Sequence, residues 1–250
     1  MAYLQLKDTL LYYEEFGKGP PVILIHGSLS RGGPTFKRQI PSLQQNYRCI
    51  CPDLRCHGKS ICSRRDWTSQ TLSEDIIALM DAMGIQTAHL IGHSMGGDVA
   101  MYCAVNSPER IRSIVSIGSA GMVNEEINAY LRRLDPDTID RKQYRDFLDR
   151  MKQDHAEANG GDWEGFFRQT IQNCGMCPNF SDSVLKKLTM PFLLIRGDSD
   201  RMVLNHEVER LASLLPNFRC VSVPGGHFAH MKEETADKII DVLLDFLDGH

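Results

Sequence analysis

The sequence predicts an α/β fold in which a mainly parallel sheet is covered by helices on both faces. Short apolar runs alternate with helical patterns through most of the 250 residues, but this alternation stops between residues 122 and 187. That block instead contains amphipathic helical patterns separated by Asp-Pro-Asp and Asn-Gly-Gly-Asp turns. We therefore expect a core formed by residues 1–121 and 188–250, with residues 122–187 inserted as a helical lid.

The spacing of apolar residues indicates where the core elements lie. Residues 3–6 and 10–15 are joined by a Lys-Asp turn and are expected to form an antiparallel hairpin at one edge of the sheet. Apolar residues from Leu72 onward predict a helix that stops at Gly84, a suitable C-terminal cap. Helices are also expected directly after Ser94 and near residue 240. The remaining strands are predicted at residues 22–25, 47–51, 88–91, 111–117, 192–195 and 219–223.

The composition excludes some classes of function. A formal net charge of -4 argues against a nucleic-acid partner, which would require a concentrated basic face. No apolar stretch approaches the roughly 20 residues that span a bilayer, and the first residues lack the pattern of a signal peptide. We therefore expect a cytoplasmic protein with no membrane partner. The sequence does not indicate an oligomeric state.

The eight cysteines are expected to be reduced thiols, because nothing in the sequence indicates secretion. Cys174 and Cys177 have the spacing of a zinc or redox motif, but no second pair completes a structural zinc site. A loop with two incidental thiols is the favoured interpretation, and no metal is expected. Among the histidines, His89 is expected in the core and His155 on the surface.

The segment from Gly92 to Gly96 has the Gly-x-Ser-x-Gly spacing of a sharp turn between a strand and a helix. A serine at the tip of such a turn has strained backbone angles, and its neighbours two positions away come close together. Glycine at both positions removes side chains that would collide. We therefore predict that Ser94 projects from the sheet edge as a nucleophile.

A serine hydroxyl is a poor nucleophile near neutral pH, so Ser94 needs a base and an acid that orients the base. Two loops that follow predicted strands offer these groups in the expected order along the chain. The first contains Asp198 and Asp200, and the second contains His227 and His230. At this point either residue of each pair is a candidate.

These motifs resemble the α/β-hydrolase superfamily, in the form that carries a short helical lid. The resemblance rests on the Leu24-Ile25-His26-Gly27-Ser28 segment, the loop from Pro52 to Ser60, the turn around Ser94, and the two loops above. It covers the core and does not extend to the lid. It departs from the family at Cys56, which replaces a glycine; cysteine would be strained there if the position requires a positive φ.

The resemblance also implies roles for individual residues. Asp200 lies three positions after Gly197 and is followed by Val203, as the family's acid is, so Asp198 becomes the alternative acid. His227 follows a glycine, which makes it the base and His230 a residue that lines the site or faces solvent. The backbone N–H groups of Ser28 and Met95 would form the oxyanion hole. His26 and His57 would shape their loops.

A serine at this turn favours acyl transfer to water, because related dehalogenases and epoxide hydrolases use aspartate there. We therefore expect an enzyme that cleaves a carboxylic ester, lactone or thioester of a small, largely apolar substrate, without a cofactor. Carbon–carbon bond hydrolysis, a cofactor-free lyase or perhydrolase activity, and a hydrolase-like ligand receptor are the alternatives. The aromatic residues of the lid either line the pocket or anchor the lid to the core: Tyr130, Tyr144, Phe147, Trp163, Phe166 and Phe167.

Overall fold

A single twisted sheet organises the chain. The computed structural model describes residues 2–63, 65, 67–176 and 178–250. Within them the sheet has nine strands, numbered β1 to β9: Ala2–Gln5, Thr9–Phe16, Pro21–Ile25, Arg48–Pro52, Ile61–Cys62, Ala88–His93, Ile111–Ile117, Phe192–Gly197 and Phe218–Val223. Their order across the sheet is β1-β2-β4-β3-β6-β7-β8-β9, and β5 pairs with β2.

Helices connect the parallel strands and cover the sheet. Strands β3, β4, β6, β7, β8 and β9 run parallel, whereas the pairs β1–β2, β2–β4 and β2–β5 are antiparallel. Such parallel pairs require crossover connections, which here contain the helices. The helices are Gly32–Thr35, Ile40–Leu43, Ser69–Ala82, Met95–Asn106, Glu125–Arg133, Arg145–His155, Trp163–Cys174, Asp182–Leu185, Asn205–Leu214 and Glu233–Asp248, numbered α1 to α10.

The central strands are apolar on both faces because both faces are covered. Every residue of β6 is buried, and β3 and β8 are nearly so. On one face Leu72 of α3 and Val99 of α4 belong to a large buried cluster. On the other face Leu43 of α2 and Ile239 of α10 belong to a second one. This burial on two sides explains why the strands appear in the sequence as continuous apolar runs rather than alternating ones.

Residues 122–187 contain α5 to α8 and lie between β7 and β8. They have a small buried apolar cluster of their own, which contains Leu134, Ile139, Leu148 and Phe167. Phe166 instead belongs to the large cluster of the core. Polar caps set the starts of two of these helices. The Asn124 side chain accepts from the N–H of Ile127, and the Asp162 side chain accepts from that of Gly165.

The predicted elements are largely confirmed. The hairpin at the sheet edge, the strand from Ile111 to Ile117 and the helix that stops before Gly84 all appear, and Gly84 has a φ of +66°. The short elements β5, α1, α2 and α8, together with α9, were not predicted. Four-residue helices and two-residue strands are too short to produce a detectable period in the sequence.

Two expectations about buried residues are wrong. Cys56 and Cys62 form a disulfide with a Cα–Cα distance of 5.5 Å, so not all eight cysteines are thiols. Pairing of β5 with β2 places Cys62 near the loop that contains Cys56, and so short a strand has no detectable pattern in the sequence. His155 is fully buried rather than exposed, because α6 packs against the loop that follows β4. His89 is buried, as predicted.

Among the described residues, none of the helices has the length and apolar character needed to cross a membrane.

Candidate active site

Ser94 occupies a strained turn at the end of the central strand β6. Its φ of +53° and ψ of -123° lie outside the regions that most residues adopt. The turn is held by the N–H of Ser94, which donates to the Ile117 carbonyl at 2.8 Å. A Cβ at Gly92 would collide with the Gly96 carbonyl, and one at Gly96 would collide with the Ile25 carbonyl. The two glycines are therefore required by the close approach of backbone segments.

Asp200 and His227 come together from the loops that follow β8 and β9. Their side chains meet at 3.1 Å between Asp200 Oδ2 and His227 Nδ1, with the Asp200 carboxyl almost fully buried. The other oxygen of Asp200 accepts from the N–H of Met202 at 2.8 Å. Asp198 instead accepts from the N–H of Gly225 at 3.0 Å. Of the two candidate acids, Asp200 is the one that contacts His227.

Gly118, at the end of β7, lies against this pair. It has a φ of +71°, and a Cβ there would lie 3.0 Å from the His227 ring and 3.4 Å from Asp200 Oδ2. The glycine thus leaves room for the imidazole to sit over the strand ends. The expectation from the sequence did not include this residue, because an isolated glycine after a strand has many uses.

Two further histidines lie beside His227. His93 Nε2 donates to the His227 carbonyl at 3.2 Å, and the His93 ring lies 5.0 Å from the His227 ring and 4.1 Å from that of His230. Burial lowers the pKa of His93 well below its ordinary value and that of His230 to about 3. Both rings are therefore neutral at physiological pH. His230 is fully buried and does not line the cavity, so the expectation for it is wrong.

Ser94 and His227 line one cavity of about 570 Å³. No hydrogen bond joins their side chains among the residues that the structure describes. Contacts between nucleophile and base are often long in the absence of substrate and shorten in the complex. The arrangement therefore holds Asp200 against His227 and places Ser94 on the wall of the same cavity.

Ser28 and Met95 also line this cavity. Within the described ranges, neither backbone N–H donates to a protein acceptor. His26 holds the loop of Ser28 in place through two hydrogen bonds. Its Nε2 accepts from the N–H of Leu54 at 2.9 Å, and its Nδ1 donates to the Gly27 carbonyl at 2.7 Å. His26 thus shapes its loop, as predicted.

The cavity wall combines apolar side chains with a few charged ones. Of the six aromatic residues named from the sequence, Tyr130 and Phe147 line the cavity, whereas Phe166 and Phe167 are buried in packing. Both predicted uses of these aromatic residues therefore occur. The charged side chains of the wall were not identified from the sequence, since no motif marks them: Arg31, Lys37, Asp98, Arg150 and Asp154.

The loop that follows β4 contacts residues 122–187, which we call the helical segment. Cys56 adopts a φ of +62°, so the position does require the left-handed region, and cysteine is strained there. Its carbonyl accepts from Asn159 Nδ2 at 2.9 Å, and the N–H of Gly58 donates to His155 Nδ1 at 2.9 Å. Cys174 lines the cavity, while Cys177 lies outside the described residues.

Comparison with known proteins identifies the family of the fold. A family model described as alpha/beta hydrolase fold matches residues 20–183 and 175–234. The chain therefore belongs to the α/β-hydrolase family.

Individual relatives differ in the reactions that their names give. The chain is 31% identical to a 2-hydroxymuconate semialdehyde hydrolase of Pseudomonas putida, over 92% of this chain and 88% of that one. It is 29% identical to the magnesium-chelatase 30 kDa subunit of Rhodobacter capsulatus, over 92% and 88%. A solved meta-cleavage product hydrolase from Pseudomonas fluorescens IP01 is 26% identical, with a TM-score of 0.77 and coverage of 96% and 95%.

Proposed function

We propose that this protein is a serine hydrolase that cleaves a carboxylic ester, lactone or thioester through Ser94, His227 and Asp200. The observation that carries the proposal is the contact of 3.1 Å between His227 and Asp200 beside the cavity that Ser94 lines. An imidazole oriented by a buried carboxylate is the arrangement that activates a serine hydroxyl.

The proposed reaction has two steps. His227 accepts the Ser94 proton, Ser94 Oγ bonds to the substrate carbonyl carbon, and the alcohol or thiol leaves with the proton returned by His227. His227 then removes a proton from water, whose oxygen bonds to the acyl carbon. The bond to Ser94 Oγ breaks, His227 returns the proton to Oγ, and the carboxylic acid leaves. Negative charge on the carbonyl oxygen is stabilised by the N–H groups of Ser28 and Met95, each worth about 10²–10³ in rate.

Residues 122–187 form the lid in this proposal. They supply much of the apolar wall of the cavity that Ser94 lines, including Ile127, Tyr130, Leu131 and Phe147. Such a wall would exclude water from the acyl group and favour a small, largely apolar substrate. Specificity would then depend on the helical segment, and reactivity on the core.

Hydrolysis of a carbon–carbon bond beside a ketone is the second candidate. It is favoured by the relatives named as 2-hydroxymuconate semialdehyde hydrolase and meta-cleavage product hydrolase. The same residues would serve this reaction, with His227 delivering a proton to the departing carbon instead of to an oxygen. No feature of the three side chains distinguishes ester hydrolysis from carbon–carbon bond hydrolysis, so the two must be separated by measuring turnover of both kinds of substrate.

Two measurements test the proposal. A fluorophosphonate probe should label Ser94 in the wild-type protein and fail to label Ser94→Ala of equal thermal stability. Turnover should then be measured on p-nitrophenyl esters graded by acyl length, on lactones and thioesters, and on 2-hydroxymuconate semialdehyde. Ester turnover without loss of the semialdehyde supports the first candidate, and the reverse supports the second. A folded protein that shows neither labelling nor turnover would contradict both.

A further inference from the structure

Asp98 is a buried carboxyl group for which the proposed reaction has no use. It lies in the first turn of α4, where its N–H donates to the Ser94 carbonyl at 3.4 Å, and its residue is only 9% exposed. It also lines the cavity that Ser94 and His227 share. One helical turn rises about 5.4 Å, so Asp98 lies close to Ser94 along the helix axis.

A serine orients the Asp98 carboxyl. Ser119 Oγ lies within hydrogen-bonding distance of Asp98 Oδ1, and it accepts from the N–H of Gly121 at 3.2 Å. The Ser119 hydroxyl thus donates to Asp98 Oδ1 while its oxygen accepts from Gly121. The Ser119 backbone is itself fixed by Ser116 Oγ, which donates to its carbonyl at 2.7 Å. The orienting group is therefore held in place.

The second oxygen, Asp98 Oδ2, has no hydrogen-bond partner in the described part of the chain. It is not among the fully enclosed polar atoms that lack partners, which fits a residue on the cavity wall. A carboxyl oxygen that is withdrawn from bulk water and has no protein partner costs stability unless something binds it. The polar group that completes this site would come from the substrate.

The electrostatics of the site indicate which polar group fits. Burial raises the pKa of Asp98 to about 7, and the hydrogen bond from Ser119 only partly opposes this. Both protonation states are thus populated near neutral pH. An ammonium group would need the ionised form, and a carbonyl would need the protonated form. A hydroxyl group both donates and accepts, so it binds either form.

We propose that Asp98 is a specificity-determining residue whose Oδ2 binds a hydroxyl group of the substrate, close to the scissile carbonyl. This inference rests on the proposed function, since Ser94 defines where that carbonyl lies. It narrows the substrate class to hydroxylated acyl compounds, which the apolar wall contributed by the helical segment does not by itself imply.

The test compares matched substrates within each variant. The probes are p-nitrophenyl butyrate and the single enantiomers of p-nitrophenyl 2-hydroxybutyrate and 3-hydroxybutyrate. We expect the wild type to prefer one hydroxylated ester in kcat/KM by about tenfold, the scale of one hydrogen bond to a carboxyl group. Asp98→Leu should lose the preference, and Asp98→Asn should keep most of it because an amide also donates and accepts. A ratio within one variant cancels any general loss of activity.

The control is Asn106→Ala at the exposed far end of the same helix, which should leave the ratio unchanged. Equilibrium binding of the same esters to Ser94→Ala gives a second ratio that needs no turnover. Failure of Ser94 labelling would therefore count against the proposed function, while the binding ratio would still decide the role of Asp98. Equal binding and equal turnover of all esters by the wild type, or an unchanged preference in Asp98→Leu, would overturn the inference.

Discussion

The two sides of the cavity are built differently. On the core side, Ser94 and the loop of Asp200 follow the buried strands β6 and β8, and the loop of His227 follows the edge strand β9. A backbone hydrogen bond from Ser94 to the Ile117 carbonyl holds the turn of Ser94 in place.

On the other side, α5 has a single buried residue, Leu131, and residues 122–187 have a small apolar cluster of their own. The same residues also meet the core through Phe166 and Phe180, which belong to the large core cluster, and through the N–H of Phe180, which donates to the Gly121 carbonyl at 3.3 Å. The groups proposed to react are thus held by the sheet, while the helical segment is attached mainly through side chains.

This difference predicts which property of the protein a substitution on each side of the cavity should change. Substitutions on the core side should change the rate of the chemical step, because they displace groups that have little freedom. Substitutions that attach the helical segment should change substrate binding and local stability instead. The following predictions test that division.

The largest effect is expected for Asp200→Asn. The carboxylate accepts a hydrogen bond from His227 Nδ1, and an amide can present its N–H there instead, which favours the wrong imidazole tautomer. We expect kcat to fall by about 10⁴ with little change in KM. Asp198→Asn is the matched control, since Asp198 binds the N–H of Gly225 and does not contact His227. Comparable losses in both variants would contradict the assignment.

A large effect on stability is expected from acid. Burial lowers the pKa of His26, His57 and His155 to about 3, as it does for His230. Their unfolded-state pKa is about 6.5, so the unfolded chain binds more protons between these values and stability is lost as the pH falls below about 6.5. Each such histidine contributes about 1.4 kcal/mol per pH unit. Three carboxyl groups whose pKa is raised in the folded state oppose this loss, because the folded state then binds more protons and gains stability as the pH falls: Asp53, Asp75 and Asp98.

The histidines outnumber these carboxyls, so the free energy of unfolding should fall between pH 6.5 and 5. Urea titrations at several pH values measure this slope. His155 lies in the helical segment and binds the N–H of Gly58 in the core. If the two regions unfold together, His155→Gln should flatten the slope by about 1.4 kcal/mol per pH unit. An unchanged slope would show that the segment separates from the core before global unfolding.

The same division explains what could be predicted from the sequence. The glycines around Ser94 are required by backbone contacts, and the loops that contain Asp200 and His227 each follow a strand, so local patterns identified Ser94 and the two loops. The choice of Asp200 over Asp198 and of His227 over His230 came from the resemblance to the α/β-hydrolase superfamily.

Cys56 and Cys62 are only six residues apart, but their disulfide depends on the pairing of β5 with the distant strand β2. The burial of His155 depends on the packing of α6 against the loop after β4, and neither contact has a local period in the sequence. Asp98 was missed because an acidic residue in the first turn of a helix is common for reasons unrelated to a ligand.

A moderate effect is expected for Asn159→Ala. Asn159 Nδ2 donates to the carbonyls of Cys56 and His155, both at 2.9 Å, and the residue is buried. Its loss leaves buried acceptors unpaired, which costs about 1–3 kcal/mol. Since one bond joins the segment to the core, we expect KM to rise more than kcat falls. Gln153→Ala, on the exposed face of α6, is the control. A fall in kcat with unchanged KM would contradict the division.

The smallest effect is expected where the two regions meet through charge. Arg31 Nε lies 2.9 Å from Asp154 Oδ1, and the side chains are 33% and 18% exposed. Solvent and salt screen such a pair, so Arg31→Gln should change the free energy of unfolding by less than about 1 kcal/mol. Arg31 lines the cavity, so its loss could change KM through direct substrate contact as well as through the attachment of α6. Hydrogen exchange of the α6 backbone amides measures the attachment of α6 to the core without a substrate. We expect faster exchange in α6 at low salt and a smaller difference at high salt. Arg168→Gln breaks a pair with Asp137 inside the segment, and should leave exchange in α6 unchanged because it joins nothing to the core.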